Sequence, residues 1–255
     1  MLKILICILA GLGAGLGTGF AGMSAAAVIS PMLIAFLDMD PYMAVGIALA
    51  SDVLASAVSA VTYGRSKNLD VRNGLVMMAA VLCFTAAGSF VASIVPKTTM
   101  GNFSVIMTLL LGIKFIVKPV VAPKPCLTDA TTAQKIIRSL LGGALVGFIC
   151  GFVGAGGGMM MLLVLTSLLG YELKTAVGTS VFIMSVTALT GAVSHFAIGG
   201  LPDITALIVC VVSTLVFAQV AALFANRAQP KTLNRVTGAV LVVLGAAILI
   251  VNFCK

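Results

Sequence analysis

Asp52 is the only acidic residue deep inside any apolar segment of this chain. On a helix it shares one face with Ser56, Ser59 and Tyr63, which follow it at i+4, i+7 and i+11. A charged carboxylate in a bilayer costs at least ~2.5 kcal/mol on insertion scales, so an acidic residue there is by default a functional candidate. The spacing predicts that Asp52 carries a coupling proton. The alternative is a structural hydrogen bond to a neighbouring helix.

Two glycine clusters form a second candidate site. They lie at Gly154 to Gly158 and at Gly17 to Gly22, each in the middle of a long apolar run. A helix that begins inside a bilayer exposes unpaired N–H groups and a partial positive charge, and both attract an anion. The clusters therefore predict a site for an anionic solute, and the alternative is close helix packing. The residues predicted to bind the solute are Thr18, Gly19, Gly22, Ser24, Gly154, Gly156, Gly157, Thr179 and Ser180.

Polar residues on the helix of Asp52, and on its counterpart later in the chain, predict a pathway through the apolar segments. His195, the only histidine, lies near the end of its apolar run, and an interfacial role is the alternative there. The residues predicted to form this proton-coupling or polar pathway are Asp52, Ser51, Ser56, Ser59 and His195.

An internal repeat relates the two sets of residues. Sliding the sequence along itself without a gap aligns Gly11 with Gly143, Gly19-Phe20 with Gly151-Phe152, and Ala44-Val45-Gly46 with Ala176-Val177-Gly178. The chain is predicted to comprise a first membrane repeat over residues 1–118, a cytoplasmic linker over 119–138 and a second membrane repeat over 139–255.

Each repeat contains four apolar runs, of which the last three have the length of single membrane spans. The opening runs, Ile4 to Leu37 and Leu140 to Tyr171, are too long for one helix. Two half-helices of about 15 residues would each rise roughly 22 Å, short of the ~30 Å hydrocarbon core. We therefore predict an all-α integral membrane protein of two inverted repeats. Each would hold a re-entrant helix pair, folded at Gly17 to Gly22 or at Gly151 to Gly158, and three transmembrane helices.

Basic residues in the short connections predict the orientation. The positive-inside rule places the loop from Gly64 to Asn73, the linker, and the loop from Arg227 to Arg235 in the cytoplasm. The segment from Gly170 to Lys174 then lies on the same side. The turn from Gly199 to Pro202, which has no Lys or Arg, lies outside with both termini.

Composition restricts the class of protein. Hydrophobic residues make up 61% of the chain and charged residues 9%, and the mean hydropathy is +1.23. No soluble fold hides that much apolar surface. The net charge of +8 lies in the loops and no basic face is interleaved with aromatic residues, so no nucleic-acid partner is predicted. The six cysteines lack CxxC or CxxH spacing, and neither a metal nor another cofactor is predicted.

A family resemblance rests on four motifs. They are the glycine-rich string from Gly147 to Gly158, Ala176-Val177-Gly178-Thr179-Ser180, the segment from Gly191 to His195, and the turn from Gly199 to Asp203. Together they resemble the TauE/SafE sulfite exporter family of membrane transporters, over nearly the whole chain. The resemblance implies a multi-pass permease of the inner (cytoplasmic) membrane for small anions, typically sulfite, sulfonates or related organosulfur compounds.

The first repeat departs from these motifs. Met23-Ser24-Ala25 stands where the second repeat has Ala155-Gly156-Gly157, Ile47-Ala48 replaces Thr-Ser, and Asp52 is not part of the family pattern. A carboxylate beside an anion site would repel the substrate unless it were protonated.

The combined prediction is a secondary active transporter for a small oxyanion that works by alternating access. Its partners would be a small anionic solute, the lipid bilayer, and protons or another coupling ion, and the oligomeric state is left open. The alternatives are a passive anion channel and a transporter of a small carboxylate without sulfur. An enzyme is not predicted, since one histidine and no convergent carboxylate pair lie in the spans.

Overall fold

The computed structural model describes residues 2–92, 113, 116–117, 131–153, 158, 161–162, 164–199 and 202–253. This part of the chain is helical and contains no strand. The helices are α1 (Leu2–Ala21), α2 (Ala26–Leu37), α3 (Pro41–Arg65), α4 (Val71–Ala92), α5 (Thr132–Val153), α6 (Leu173–Gly199), α7 (Ile204–Arg227) and α8 (Pro230–Phe253). A single π-helical turn covers Val164–Leu168.

Four segments of the described residues are long and apolar enough to cross a membrane, namely Leu2–Ala21, Met43–Arg65, Leu173–Val193 and Ile204–Arg227. Val71–Thr85 and Ile136–Phe148 are shorter apolar helical segments. The prediction of an all-α membrane protein is confirmed at this level.

Aspartates start three of the helices. Asp40, Asp70 and Asp203 each accept a hydrogen bond from the backbone N–H three residues ahead, at 3.0 to 3.1 Å, before α3, α4 and α7. An N-cap acceptor satisfies one of the free N–H groups of the first turn, and the carboxylate also complements the helix dipole. Three of the seven acidic residues in the chain therefore lie at the N-terminal ends of helices.

Glycines let α1 approach α7 closely. A Cβ added at Gly11, Gly15 or Gly19 would collide with atoms of α7, and these contacts advance along α7 from Ser213 to Ala222. Because the contacts advance in the same direction on both helices, α1 and α7 run parallel. Small residues at this spacing are typical of helix interfaces in membranes, where the backbones come close together.

The second repeat packs in the corresponding way. Added Cβ atoms at Gly143 and Gly147 of α5 would collide with the backbone carbonyls of Met77 and Val81 of α4. The sequence repeat pairs α1 with α5 and α4 with α7, so the α1–α7 and α4–α5 contacts are equivalent. Each predicted repeat therefore packs its opening helix against a helix of the other.

Helices α3 and α6, which are also equivalent in the repeat, pack against each other in opposite directions. An added Cβ at Gly191 would lie 2.9 Å from Leu49 Cδ1, whereas one at Gly178 would lie 2.8 Å from Tyr63 Cβ. Positions early in α3 thus face positions late in α6. The two helices are antiparallel.

The loop after α3, the start of α6 and the end of α7 meet at one end of the bundle. Asn68 Nδ2 donates to Asn226 Oδ1 at 2.7 Å, and Lys174 Nζ donates to the Asn226 carbonyl at 2.9 Å. At the opposite end, Lys3 at the start of α1 forms an ion pair with Asp203 at the start of α7. The basic loop after α3, the start of α6 and the end of α7 therefore share one face, and the start of α1 lies at the other.

The Lys3–Asp203 pair gives a pH-dependent contribution to stability. The hydrogen bond from Lys3, and then the N-cap bond from Ala206, hold the pKa of Asp203 below its usual value. A lowered folded-state pKa stabilises the protein above the unfolded pKa of about 3.9, and this contribution is lost as the pH falls through the folded value. The pair is more than one-third exposed, so we expect it to contribute less than ~1 kcal/mol.

We expect Asp203→Asn to keep the N-cap but remove the pH-dependent part, whereas Asp203→Ala also loses the cap, at about 1 kcal/mol. Unfolding temperatures in detergent at neutral pH and below about pH 4 measure both effects. The unfolding temperatures of wild type and Asp203→Asn should differ at neutral pH and become equal below about pH 4. An equal difference at both pH values would contradict the assigned ion pair.

Candidate functional site

The break between α1 and α2 lies at Gly22 to Ala25, and every residue in it is buried. Gly22 has a φ of +59°, in the left-handed region that favours glycine. The first opening run is broken, as predicted, but the position of the break and the equal halves are corrected. The break predicted at Gly151 to Gly158 lies mostly outside the described residues. Helix α1 continues through Gly17 and Gly19 to Ala21, so it is 20 residues long, and α2 has 12.

The packing of α1 against α7 explains this difference. The glycines that suggested a break at Gly17 lie in the stretch of α1 that packs closely on α7, and there the helix stays regular. Helix α1 is therefore about 30 Å long, whereas α2 is about 18 Å long and too short to cross the hydrocarbon core.

Three hydroxyls from three helices close the end of α1. Tyr63 Oη of α3 donates to the Gly19 carbonyl at 2.8 Å, Thr237 Oγ1 of α8 to the Phe20 carbonyl at 3.1 Å, and Ser180 Oγ of α6 to the Gly22 carbonyl at 2.8 Å. A helix end leaves carbonyls unpaired, and buried ones need such partners. Thr18 Oγ1 adds a bond to the Met23 carbonyl at 2.9 Å.

The carboxylate of Asp52 lies at the N-terminus of α2. It accepts hydrogen bonds from Ser24 Oγ and from Ser56 Oγ, both at 2.7 Å, and from the backbone N–H of Ala25. Asp52 and Ser56 are fully buried and Ser24 is 6% exposed. The predicted helical face is thus in place, and its acidic member points at the start of the broken helix, where partial positive charge is expected.

The two adjacent hydroxyls of α6 have different partners. Ser180 contacts the break, and a Cβ added at Gly22 would lie 3.0 Å from Ser180 Cβ. Thr179 is also buried, but its Oγ1 accepts a hydrogen bond from the backbone N–H of Asp70 at 3.2 Å. The structure therefore brings Ser180 to the site and turns Thr179 towards the loop between α3 and α4.

The remaining members of the predicted pathway lie apart from the carboxylate. Ser51 Oγ donates to the Ile47 carbonyl of its own helix at 2.8 Å. Ser59 is fully buried, and its hydroxyl has no hydrogen-bond partner among the described residues. His195 lies on α6, with its side chain outside the described residues, as are Gly154, Gly156 and Gly157.

The second glycine cluster nevertheless touches the first break through Gly158. A Cβ at this position would lie 2.5 Å from the Ser24 nitrogen and 2.7 Å from Met23 Cα. Residues from both repeats thus meet around the start of α2. No group of three His, Cys, Asp or Glu side chains that could hold a metal ion occurs within the described residues.

Sequence reasoning missed Thr237 and the bond from Tyr63 to Gly19. The sequence does place the hydroxyl of Thr237 within the last apolar run, and this polar side chain could have pointed to a buried hydrogen bond. Its partner is a backbone carbonyl far away in the chain, which only the packing of α8 against α1 reveals.

Several span-length apolar helices and a buried polar cluster at a helix break are features of multi-pass membrane transporters. The family model described as "Sulfite exporter TauE/SafE" matches residues 7–248, and the chain belongs to this family. The resemblance noted from the motifs is thereby confirmed.

Two relatives from Bacillus subtilis (strain 168) support this membership. The chain is 25% identical to "Probable membrane transporter protein YunE" over 97% of this chain and 98% of that protein. It is 24% identical to "Probable membrane transporter protein YdhB" over 89% of this chain and 90% of that protein.

Proposed function

We propose that the protein is a secondary active transporter for a small, sulfur-containing oxyanion, and that the start of α2 is part of its binding site. The observation that carries the proposal is the buried helix break, which Ser24 and Asp52 of the first repeat share with Ser180 and Gly158 of the second. Broken helices at a repeat interface are where transporters of this architecture bind their solutes.

Alternating access requires two halves that move against each other, and we propose that these are inverted repeats. The antiparallel packing of the equivalent helices α3 and α6 supports the inversion. The predicted boundaries of 1–118 and 139–255, with a cytoplasmic linker between them, fit this arrangement.

We also propose that α1 and α2 form a re-entrant pair. The support comes from the ends of the helices: α1 begins at the end of the bundle where Lys3 meets Asp203, and α3 finishes at the other end, beside Asn226. Helix α3 rises about 37 Å, so it begins near the level of Lys3. The chain between Lys3 and Pro41 would then enter and leave through one face.

The basic end of the bundle is proposed to face the cytoplasm across the inner membrane. Arg65, Lys67, Arg72, Lys174 and Arg227 all belong to segments at that end. This is the asymmetry that the positive-inside rule associates with cytoplasmic loops.

Backbone N–H groups at the start of α2 and the hydroxyl of Ser24 are the proposed donors to the oxyanion, and Ser180 would hold the turn through its bond to the Gly22 carbonyl. Thr18, Gly19 and Gly22 would shape the turn, and Gly154, Gly156 and Gly157 would supply the corresponding turn of the second repeat. The description of the family as sulfite exporters supports a sulfur oxyanion as the substrate. We propose that Asp52 couples transport to protons.

A binding panel tests the substrate class. Detergent-purified protein would be heated with sulfite, sulfate, thiosulfate, sulfoacetate or taurine, and with carboxylates without sulfur as the matched controls. A ligand that binds only the native state raises the free energy of unfolding by about 2.7 kcal/mol at one hundred times its Kd. We expect selective stabilisation by sulfur oxyanions. Stabilisation by carboxylates alone would favour the small-carboxylate alternative.

Flux into proteoliposomes separates a transporter from a channel. We expect saturable uptake that responds to an imposed proton gradient. Uptake that rises linearly with concentration and ignores the gradient would favour a passive anion channel.

A further inference from the structure

The start of α2 already holds a carboxyl group, and that group belongs to the protein. The Asp52 carboxylate accepts hydrogen bonds from two hydroxyls, at 2.7 Å each, and from the Ala25 N–H. Hydroxyl and backbone donors at a helix N-terminus are also the groups that would hold a substrate oxyanion. A solute and the carboxylate would therefore compete for one set of donors.

Among the residues that the structure describes, no neighbouring cation balances this carboxylate. The helices packed against α3 are α1, α2, α6 and α7. Their titratable residues are Lys3 and Cys7 on α1, Lys174 and His195 on α6, and Cys210 and Arg227 on α7, and α2 has none. Apart from His195, whose side chain is outside the described residues, none of these groups acts on Asp52, whose interactions are the bonds from Ser24, Ser56 and Ala25. No positive charge among these groups would thus offset the repulsion between ionised Asp52 and a second bound anion.

Spare hydrogen-bond donors lie on the same two helices. The hydroxyls of Ser30 on α2 and Ser59 on α3 are buried and have no partner among the described residues. Buried polar groups are nearly always hydrogen-bonded, so water or a ligand is expected beside each of these two hydroxyls. Ser59 lies on the helical face of Asp52.

We propose that Asp52 is a tethered competitor of the transported anion, and that it vacates the start of α2 by taking up a proton when the anion binds. This inference rests on the proposed function. The exchange replaces one negative charge with another, so the buried site keeps its net charge when the solute is a monoanion. It selects a singly charged oxyanion such as a sulfonate or hydrogen sulfite. A dianion would leave the site with an additional charge, at a high cost in low dielectric.

The exchange fixes a ratio of about one proton taken up per anion bound. By linkage, the anion must then bind more tightly as the pH falls. At pH values at which Asp52 is ionised in the unbound protein, the Kd should rise about tenfold per unit of increasing pH. At lower pH, where Asp52 is already protonated, the Kd should become independent of pH.

Titration calorimetry with methanesulfonate tests this ratio, because a sulfonate does not itself titrate near neutral pH. Repeating the titration in buffers of different ionisation enthalpy gives the number of protons taken up. Asp52→Asn is the test variant, Asp52→Glu is the conservative variant, and Asp203→Asn is a matched control that makes the same substitution at the membrane face. Sulfate serves as the dianionic probe.

We expect wild type, Asp52→Glu and Asp203→Asn to take up about one proton per methanesulfonate. Asp52→Asn should bind it without proton uptake, with a Kd that does not change with pH and is no weaker than that of wild type. Sulfate should bind wild type more weakly than methanesulfonate does. If Asp52→Asn does not fold, the number of protons taken up by wild type is sufficient to test the exchange.

Three results would overturn the inference. Binding to wild type without proton uptake, or unchanged uptake in Asp52→Asn, would exclude the exchange and leave the proposed anion site standing. Failure of every sulfur oxyanion to bind either protein at any pH would remove the proposed function, and the exchange with it.

Discussion

Gly15→Ala is expected to lower the unfolding temperature strongly, because the added Cβ would lie 2.6 Å from the Thr214 carbonyl and 2.8 Å from the Ala218 nitrogen. Both are backbone atoms, so no side-chain rotation relieves the collision and α1 must move away from α7. Overpacking of this kind costs about 1–3 kcal/mol or more. Gly147→Ala, the equivalent change in α5, should behave alike, since its Cβ would lie 2.5 Å from the Val81 carbonyl.

Gly64→Ala is the matched control. A Cβ there meets only Leu69 Cδ2, at an ordinary 3.4 Å. Alanine favours a helix over glycine by about 1 kcal/mol, so this variant should be neutral or more stable than wild type. Unfolding can be followed in detergent with a fluorogenic maleimide, because Cys7 and Cys210 are buried in the native state and their labelling adds to that of the exposed Cys83. If all three variants unfold at the same temperature, the close contact between the paired helices is wrong.

Asp52→Val is expected to have the second large effect, through the donors that it leaves behind. The hydroxyls of Ser24 and Ser56 and the N–H of Ala25 would remain buried without their acceptor. Each unsatisfied group costs about 1–3 kcal/mol, although a rotating hydroxyl can find a backbone carbonyl. We expect a total loss of about 2–6 kcal/mol in the free energy of unfolding.

A triple variant distinguishes unpaired donors from a general packing defect. Removing both partners of a hydrogen bond is far less costly than removing one. Ser24→Ala and Ser56→Ala introduced together with Asp52→Val should therefore restore much of the lost stability, measured by unfolding temperature in detergent. A triple variant that is less stable than Asp52→Val alone would contradict the assigned network.

The sequence predicted the polar face of α3 because periodicity on one helix is a local property. It placed Asp52 with Ser56, and the structure joins them by a hydrogen bond. The bond from Ser24 to Asp52 could not be predicted, since it depends on how α2 folds back against α3. Ser24 was proposed only for its position in the turn.

Other contacts of the site also depend on packing and could not be predicted from the sequence. Thr179 and Ser180 are neighbours in the sequence and point about 100° apart on a helix, and only packing decides that Ser180 faces the break. A glycine permits either a break or a close helix contact. Gly19 and Gly22 are three residues apart, yet the first packs against α7 and the second turns the chain.

The crossed packing of the repeats also sets an order of events during synthesis. Lys3 of α1 and Asp203, at the start of its partner helix, are separated by 200 residues, whereas α4 and α5 are much closer in the chain. At about 5–20 residues per second, α1 waits roughly 10–40 s on the ribosome before its partner emerges. Its glycine-lined surface must meanwhile be covered by lipid or by the insertion machinery, so α1 is made long before the helix against which it packs.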